Sequence, residues 1–481
     1  MNTTAMSPVS MPDYDRKSLK AGIVHIGLGN FHRAHMAVYL DDLFALGEGH
    51  DWAILGAGVR AGDAIMREAM LAQDCLSTVI ELDPDGRRAR RIGAMTGFIE
   101  VQPDNAALIA AMADPAIRIV SLTVTEGGYF IDAVTGQFDP NAAEIVADAQ
   151  NPAQPVTAFG AIIAALRLRR DAGRKPFTVM SCDNLPGNGH VTQAVVVGLA
   201  RLSDPVFAGW IESNVAFPNG MVDRITPATG PRERAMAAAF GLSDPVPVTC
   251  EPFRQWVLED KFSAGRPALE KVGVTFTSDV HAYEAMKIRI LNGGHAIIAY
   301  PGGLMDIEYV HQAMANPLIS AFLDKVEYEE IVPYVAPVPN TDLIAYTAMI
   351  RDRFSNPEIA DTERRLCLDG SNRQPKFIVP SLRSALAKAG PIDGLSLVSA
   401  LWCRYCYGET DSGAPIAPND PNWDALTELS DRARHDPKLW LGLQSVYGDL
   451  AENPRFVASF SAALTALWRD GTEAALRAYI G

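Results

Sequence analysis

Glu284-Ala285-Met286-Lys287-Ile288-Arg289-Ile290-Leu291-Asn292-Gly293-Gly294-His295 brings a carboxylate, an amine, a carboxamide and an imidazole into a short stretch. Such a set suits proton transfer at an alcohol oxygen. A partly buried lysine gives up its charge readily and acts as a base near neutral pH. Asn292 offers an amide N–H to an oxygen gaining negative charge, and His295 exchanges a hydrogen bond with the hydroxyl. Ser278 and Asp279 provide caps just upstream, and Pro301-Gly302-Gly303 predicts a stop just downstream. With Lys287 at zero and about 100° per residue, Glu284 falls at about 60°, His295 at about 80° and Asn292 at about 140°. Arg289 points the other way. Gly293 and Gly294 each weaken a helix by about 1 kcal/mol relative to Ala. Their pairing predicts a close approach to the backbone. The competing reading is an amphipathic helix with its polar stripe in water, and residue types alone leave the two even.

Upstream elements must position a partner for this face. Gly-Ile-Val-His-Ile at 22–26 reads as a short buried strand, followed at once by Gly27-Leu28-Gly29-Asn30-Phe31-His32-Arg33-Ala34-His35 and a helical pattern through Met36, Tyr39, Leu43 and Phe44. Strand, Gly-x-Gly turn and helix form the phosphate-binding unit of a dinucleotide fold. Gly27 and Gly29 let a pyrophosphate approach the backbone, with Phe31, His32 and Arg33 beside it; the usual third glycine is missing. A second strand spans 52–59, and Asp63 follows it. A carboxylate there bonds the adenosine ribose and repels a 2′-phosphate, which favours NAD. Arg60 offers the NADP alternative, and Asp63 as a mere helix cap is the plain one.

Stretches 76–82 and 87–92 flank Asp83-Pro84-Asp85-Gly86 and predict a hairpin inserted in the sheet. A buried strand over 117–124 ends in Thr125-Glu126-Gly127-Gly128-Tyr129. Ligands sit beyond the carboxyl ends of such strands, so Thr123, Glu126 and Gly127 are candidates for the nicotinamide side; an ordinary turn explains Gly127-Gly128 equally well. A helix is expected over 155–170 and a strand over 177–181. The polar loop 182–189 follows with Asn184 and Asn188, and a second polar loop spans 217–227 with Val222 and a candidate Asp223–Arg224 ion pair. From residue 280 the pattern is helical, around 305–330, 342–355, 371–389, 394–406, 423–434 and 451–479. The expected architecture is therefore an α/β Rossmann-like domain with insertions over 1–279 and a mostly α-helical substrate-binding domain over 280–481.

The 481 residues exceed one ordinary core, and 48% apolar with 21% charged residues suits a globular enzyme. A net charge of −15 argues against nucleic acid or an anionic membrane as partner. No apolar run reaches a membrane span, and the polar segment 1–17 lacks a signal-peptide core, so a cytoplasmic protein is expected. The six scattered cysteines are not a disulfide framework. Cys403-Arg404-Tyr405-Cys406 is a lone C-x-x-C, read as buried structural thiols; a redox pair or half a zinc site are the alternatives.

Lys287-x4-Asn292-x2-His295 resembles the catalytic signature of the polyol-specific long-chain dehydrogenases, the mannitol 2-dehydrogenase family. The stretches 27–34, 123–129, 181–186 and 218–227 resemble its other blocks, and Asp369-Gly370-Ser371-Asn372-Arg373 extends the likeness. The resemblance implies metal-free, NAD-dependent oxidation of a secondary alcohol of a polyol, with the ketose reduced in reverse, by a monomer. It implies Lys287 as general base, Asn184 and Asn292 on the substrate oxygen, and His295 bonded to substrate. Glu284 would gate a water path for the proton. Asp223, Arg365 and Arg373 would contact the polyol, with Lys the family's usual residue at the position of Arg373. Val222 would lie near the cofactor and Glu126 would order the nicotinamide side.

Fructuronate and tagaturonate reductases share the scaffold, but that branch carries Lys after the Glu where this chain has Gly127. Tyr283-x3-Lys287 matches the Tyr–Lys pair of short-chain dehydrogenases, whose chains are far shorter. A zinc enzyme using Cys403 and Cys406, and a non-catalytic dinucleotide sensor, complete the alternatives.

Overall fold

The computed structural model describes residues 8–132 and 135–481, so residues 1–7 of the polar N-terminal segment lie outside it. The chain divides into two compact units, Met1–His281 and Ala282–Gly481.

In the first unit, β1 (Ala21–Ile26), β2 (Ala53–Ala57), β5 (Met95–Phe98), β6 (Ile119–Leu122) and β7 (Thr178–Ser181) form one sheet in the order β5-β2-β1-β6-β7. Every pairing is parallel. Parallel strands are covered on both faces, which is why they read as apolar runs. Side chains alternate as the pleat requires: Ile23 joins a core with Met36, Leu40 and Phe44, whereas Val24 and Ile26 join one with Leu108, Ile162 and Val196. The strand order reverses between β1 and β6, the position where such sheets open a crevice.

Two expectations are corrected here. The hairpin forms as β3 (Ser77–Asp83) and β4 (Gly86–Ile92), antiparallel throughout. It does not enter the main sheet; β3 pairs in parallel with β9 (Val248–Cys250), giving a separate sheet β4-β3-β9. The second polar loop contains a strand, β8 (Gly220–Asp223), which pairs antiparallel with β10 (Gln255–Glu259); β11 (Thr275–Thr277) completes that sheet. Arg224 is buried beside β8. Its guanidinium bonds Glu81 at 2.6 Å and the carbonyls of Ala34 and Glu251.

The second unit is helical, and isolated bridges are the only β-pairings among its described residues. The expected stop comes late: a helix runs from Gly293 through Pro301 and ends at Leu304, one residue past Gly303. Pro301 cannot donate to Ile297, yet the helix continues because neighbours pack tightly on its last turn. A Cβ on Gly302 would meet Glu363 at 2.8 Å and one on Gly303 would meet Tyr405 at 2.9 Å. The C-terminal helical stretch breaks at Gly471 (φ +82°) into Pro454–Asp470 and Thr472–Ile480. No helix among the described residues is long and apolar enough to cross a membrane.

Candidate active site

The nucleotide-side candidates other than Val222 follow strands of the parallel sheet at one edge. Gly27 has φ +93°, and a Cβ there would lie 2.1 Å from the Thr123 carbonyl oxygen. Only glycine fits that approach. Thr123 Oγ1 donates to the Gly27 carbonyl at 2.5 Å and lies 2.9 Å from His25 Nε2, which ties the ends of β1 and β6 together. Gly29 is exposed and begins a short helix, Asn30–Ala34. Around the missing Cβ of Gly127 the space is open. Bare backbone at this edge fits the pyrophosphate and nicotinamide portions of a dinucleotide.

The side chains of the glycine turn divide. Phe31 is half-buried and stacks on His35, ring centroids 4.8 Å apart. His32 is buried and stacks on His25 at 3.4 Å and 15°, with neither ring nitrogen bonded. Burial lowers the pKa of His25 to about 3 and of His32 well below 6.5, so both rings are neutral at pH 7. Arg33 turns inward: its guanidinium donates to Asn30 Oδ1 at 2.8 Å and to the Gly29 and Val246 carbonyls, and burial lowers its pKa to about 10. That geometry braces the turn from within. Asp63 opens the helix Asp63–Ala72, and its carboxylate accepts the Arg60 N–H at 2.9 Å.

The loops after β6 and β7 share a buried carboxylate that sequence reasoning left without a role. Asp183 accepts Val124 N–H and Thr125 N–H, each at 3.0 Å, and the Tyr129 hydroxyl at 2.6 Å. Burial raises its pKa, these bonds pull it down, and the Glu126 charge adds a smaller upward push. Thr125 sits at φ +65°, ψ 162°, a conformation that costs a β-branched residue roughly 1–3 kcal/mol. Glu126 and Asn184 are exposed on these two loops. Asn188 is buried and clamps β8, accepting Gly220 N–H at 2.9 Å and donating to the Gly220 carbonyl at 2.8 Å. Val222 and Asp223 lie buried on β8.

In the second unit the Lys287 stretch is not one regular helix. An α-helix ends at Lys287, a π-helical turn spans Ile288–Asn292, and the α-helix resumes at Gly293. Gly293 N–H donates to the Ile288 carbonyl, five residues back. At about 82° per residue through that turn, Asn292 moves to about 50° and His295 to about −10° of Lys287. The polar residues therefore gather within about 70° instead of the about 140° of a regular helix. Lys287 is 7% exposed and Glu284 5%. The His295 ring packs on Phe354 at 4.5 Å. Only Gly294 is closely approached, and by the protein itself: a Cβ there would lie 2.7 Å from Glu327 Oε1 and 3.0 Å from the Phe354 ring, whereas one on Gly293 would find its nearest atom, the Phe377 carbonyl oxygen, at 3.4 Å. The Glu327 carboxyl is fully buried, Oε1 bonds nothing, and burial raises its pKa well above 4.5. Arg289 donates instead to the Tyr334 carbonyl at 3.0 Å.

Arg365 and Arg373 stand together. Arg365 is exposed and grips Asp361 with both Nε and Nη2, while Arg373 Nη1 donates to the Arg365 carbonyl at 3.3 Å and the Leu366 carbonyl at 3.1 Å. Cys403 and Cys406 are buried free thiols whose pKa burial pushes up. Among the described residues, no group of three or more His, Cys, Asp or Glu gathers to hold a metal.

Comparison with known proteins matches residues 21–271 to the mannitol dehydrogenase Rossmann domain and 279–468 to the mannitol dehydrogenase C-terminal domain. The chain is 71% identical to a mannitol 2-dehydrogenase of Cereibacter sphaeroides, over 98% of this chain and 99% of that one. The structure is similar to that of Pseudomonas fluorescens mannitol 2-dehydrogenase in ternary complex with NAD and D-mannitol: TM-score 0.86, 42% identity, 98% of this chain and 96% of that one. It is also similar to a substrate-free D-sorbitol dehydrogenase, with TM-score 0.92, 36% identity and 98% of each chain covered.

Proposed function

This chain belongs to the mannitol dehydrogenase family, and from that premise we propose that it oxidises D-mannitol to D-fructose with NAD, and reduces the ketose in reverse. It is an oxidoreductase with a Rossmann domain and a mostly helical C-terminal domain. The observation that carries the substrate is 71% identity, over nearly the whole of both chains, to a mannitol 2-dehydrogenase. The likeness to a sorbitol dehydrogenase keeps related polyols within the proposal.

Residues 1–279 take the nucleotide and 280–481 take the polyol. NAD, when bound, supplies the hydride acceptor at its nicotinamide. Gly27, Gly29 and Gly127 offer backbone to it, Phe31, His32, Thr123, Glu126 and Val222 line its place, and Arg33 supports the turn from below. Asp63, held at the end of β2, bonds the ribose hydroxyls and repels the extra phosphate of NADP.

Lys287 is the general base. Its neutral amine takes the hydroxyl proton of the substrate, and in reduction the ammonium returns it. Asn184 and Asn292 donate to the oxygen as its charge grows, without adding a charge that would oppose deprotonation of the amine. His295 bonds the same oxygen and Glu284 passes the proton towards water. Arg365, Arg373 and Asp223 grip the remaining hydroxyls. With amine and amides covering the oxygen, no metal is required. The enzyme works as a monomer, away from membranes and nucleic acid.

The test is a steady-state screen, followed at the nicotinamide absorbance band, of mannitol, sorbitol and arabinitol oxidation and fructuronate reduction. It is run with NAD and NADP, before and after prolonged chelation. Mannitol with NAD should give the highest kcat/KM and survive chelation. Turnover of fructuronate alone would replace this reading with the sugar-acid reductase.

A further inference from the structure

The turn after β6 is not held by its own sequence. Thr125 adopts φ +65°, ψ 162°, which glycine tolerates and threonine does not. Its amide and that of Val124 both donate to one carboxylate on another loop, Asp183, which immediately precedes Asn184 after β7. That carboxylate is oriented in turn. Tyr129, at the far end of the strained turn, donates to Asp183 Oδ2 and lies 2.6 Å from Ser181 Oγ, while Asp183 N–H donates to Ser181 Oγ at 3.2 Å. The bonds form a closed ring between the two loops. Asn188 adds a third anchor by donating to the Asp183 carbonyl at 3.1 Å.

We propose that Asp183 is a positioning residue that holds the turn from Thr123 to Tyr129 in its strained form and locks it to the Asn184 loop, so that Glu126 and Asn184 are presented in fixed register. This rests on the roles given above to Glu126 and Asn184. Asp183 touches neither substrate nor nucleotide; it acts through the backbone of the loops that do. A carboxylate offers acceptors to all three donors, whereas the amide of an asparagine must set an NH2 against one of them. The strain then has nothing to oppose it, and Thr125 relaxes to an ordinary φ.

The experiment compares Asp183→Asn, Thr125→Gly and the double variant. Loss of a charged acceptor shared by these three donors should lower kcat of D183N by ~10- to 100-fold, with nucleotide affinity changed far less. T125G alone should stay near wild type. In the double variant glycine adopts the positive φ without help, so most of the lost kcat should return. Amide hydrogen exchange at Thr125 is read in parallel and needs no substrate. It should quicken in D183N whatever alcohol the enzyme oxidises, which separates failure of this proposal from failure of the polyol reading. If D183N does not fold, Tyr129→Phe, which removes one donor from the same carboxylate, should show a smaller loss of the same kind. Wild-type kcat in D183N, unchanged exchange at Thr125, or no recovery in the double variant would overturn the proposal.

Discussion

The His295 imidazole lies on the Phe354 ring, centroids 4.5 Å apart and planes 26° from parallel. Phe354 ends the helix Leu343–Phe354 and is buried, so a fixed aromatic plane sets the tilt of a ring proposed to bond substrate. Stacked pairs of this kind are worth roughly 1 kcal/mol beyond the area they bury. Phe354→Leu keeps most of the volume and removes the plane. It should raise KM for the polyol severalfold and destabilise the fold by about 1–2 kcal/mol. Initial rates and denaturant unfolding check both; an unchanged KM would show that His295 needs no such support.

Lys287→Ala should lower kcat by about 10²- to 10⁴-fold, the range a positioned base contributes. Nucleotide affinity should stay nearly constant, because the glycine turn and its neighbours belong to the other unit. Stopped-flow rates and NADH fluorescence titration separate the two. Substantial turnover at every pH would remove Lys287 from its role.

Gly294→Ala sets helix propensity against packing. Alanine gains about 1 kcal/mol in a helix interior. Its methyl, however, would lie 2.7 Å from Glu327 Oε1 and 3.0 Å from Phe354, and such overpacking costs about 1–3 kcal/mol. The ring moved is the one under His295, so activity should fall more than stability. An alanine variant with full kcat and higher Tm would contradict this.

Glu327→Gln should separate from wild type as pH rises. The folded chain holds this carboxyl protonated well above 4.5, whereas in the unfolded chain it ionises near that value. The unfolded state therefore releases a proton that the native state keeps, and wild-type stability falls with rising pH in that window. Glutamine lacks this penalty, so its relative stability should grow by about 1.4 kcal/mol per pH unit above pH 4.5, until the folded carboxyl ionises. Unfolding free energies of both proteins at pH 5 and 8 decide it; a constant difference would mean that Glu327 is already ionised in the fold.

The parallel strands were legible because burial on both faces leaves unbroken runs such as Gly-Ile-Val-His-Ile. The hairpin was legible from Asp-Pro-Asp-Gly, but the sheet it joins was not, since Val79 pairs with Val248 far along the chain. The residue types of the Lys287 face could be read from their spacing. Their angular order could not, because no local pattern marks a π-helical turn. Pro301 misled for a related reason: tertiary packing around Gly302 and Gly303 outweighs one missing donor. Asp183 stayed silent because its partners include two backbone N–H groups, which every sequence contains.

The π-helical turn amounts to one residue inserted into a helix, and an insertion rotates everything after it by a whole step. Grafting this chemistry onto a straight helix therefore requires Lys-x3-Asn-x2-His, one residue shorter than the native spacing. Copying the native interval onto regular scaffolding would swing the imidazole about a quarter turn away from the amine.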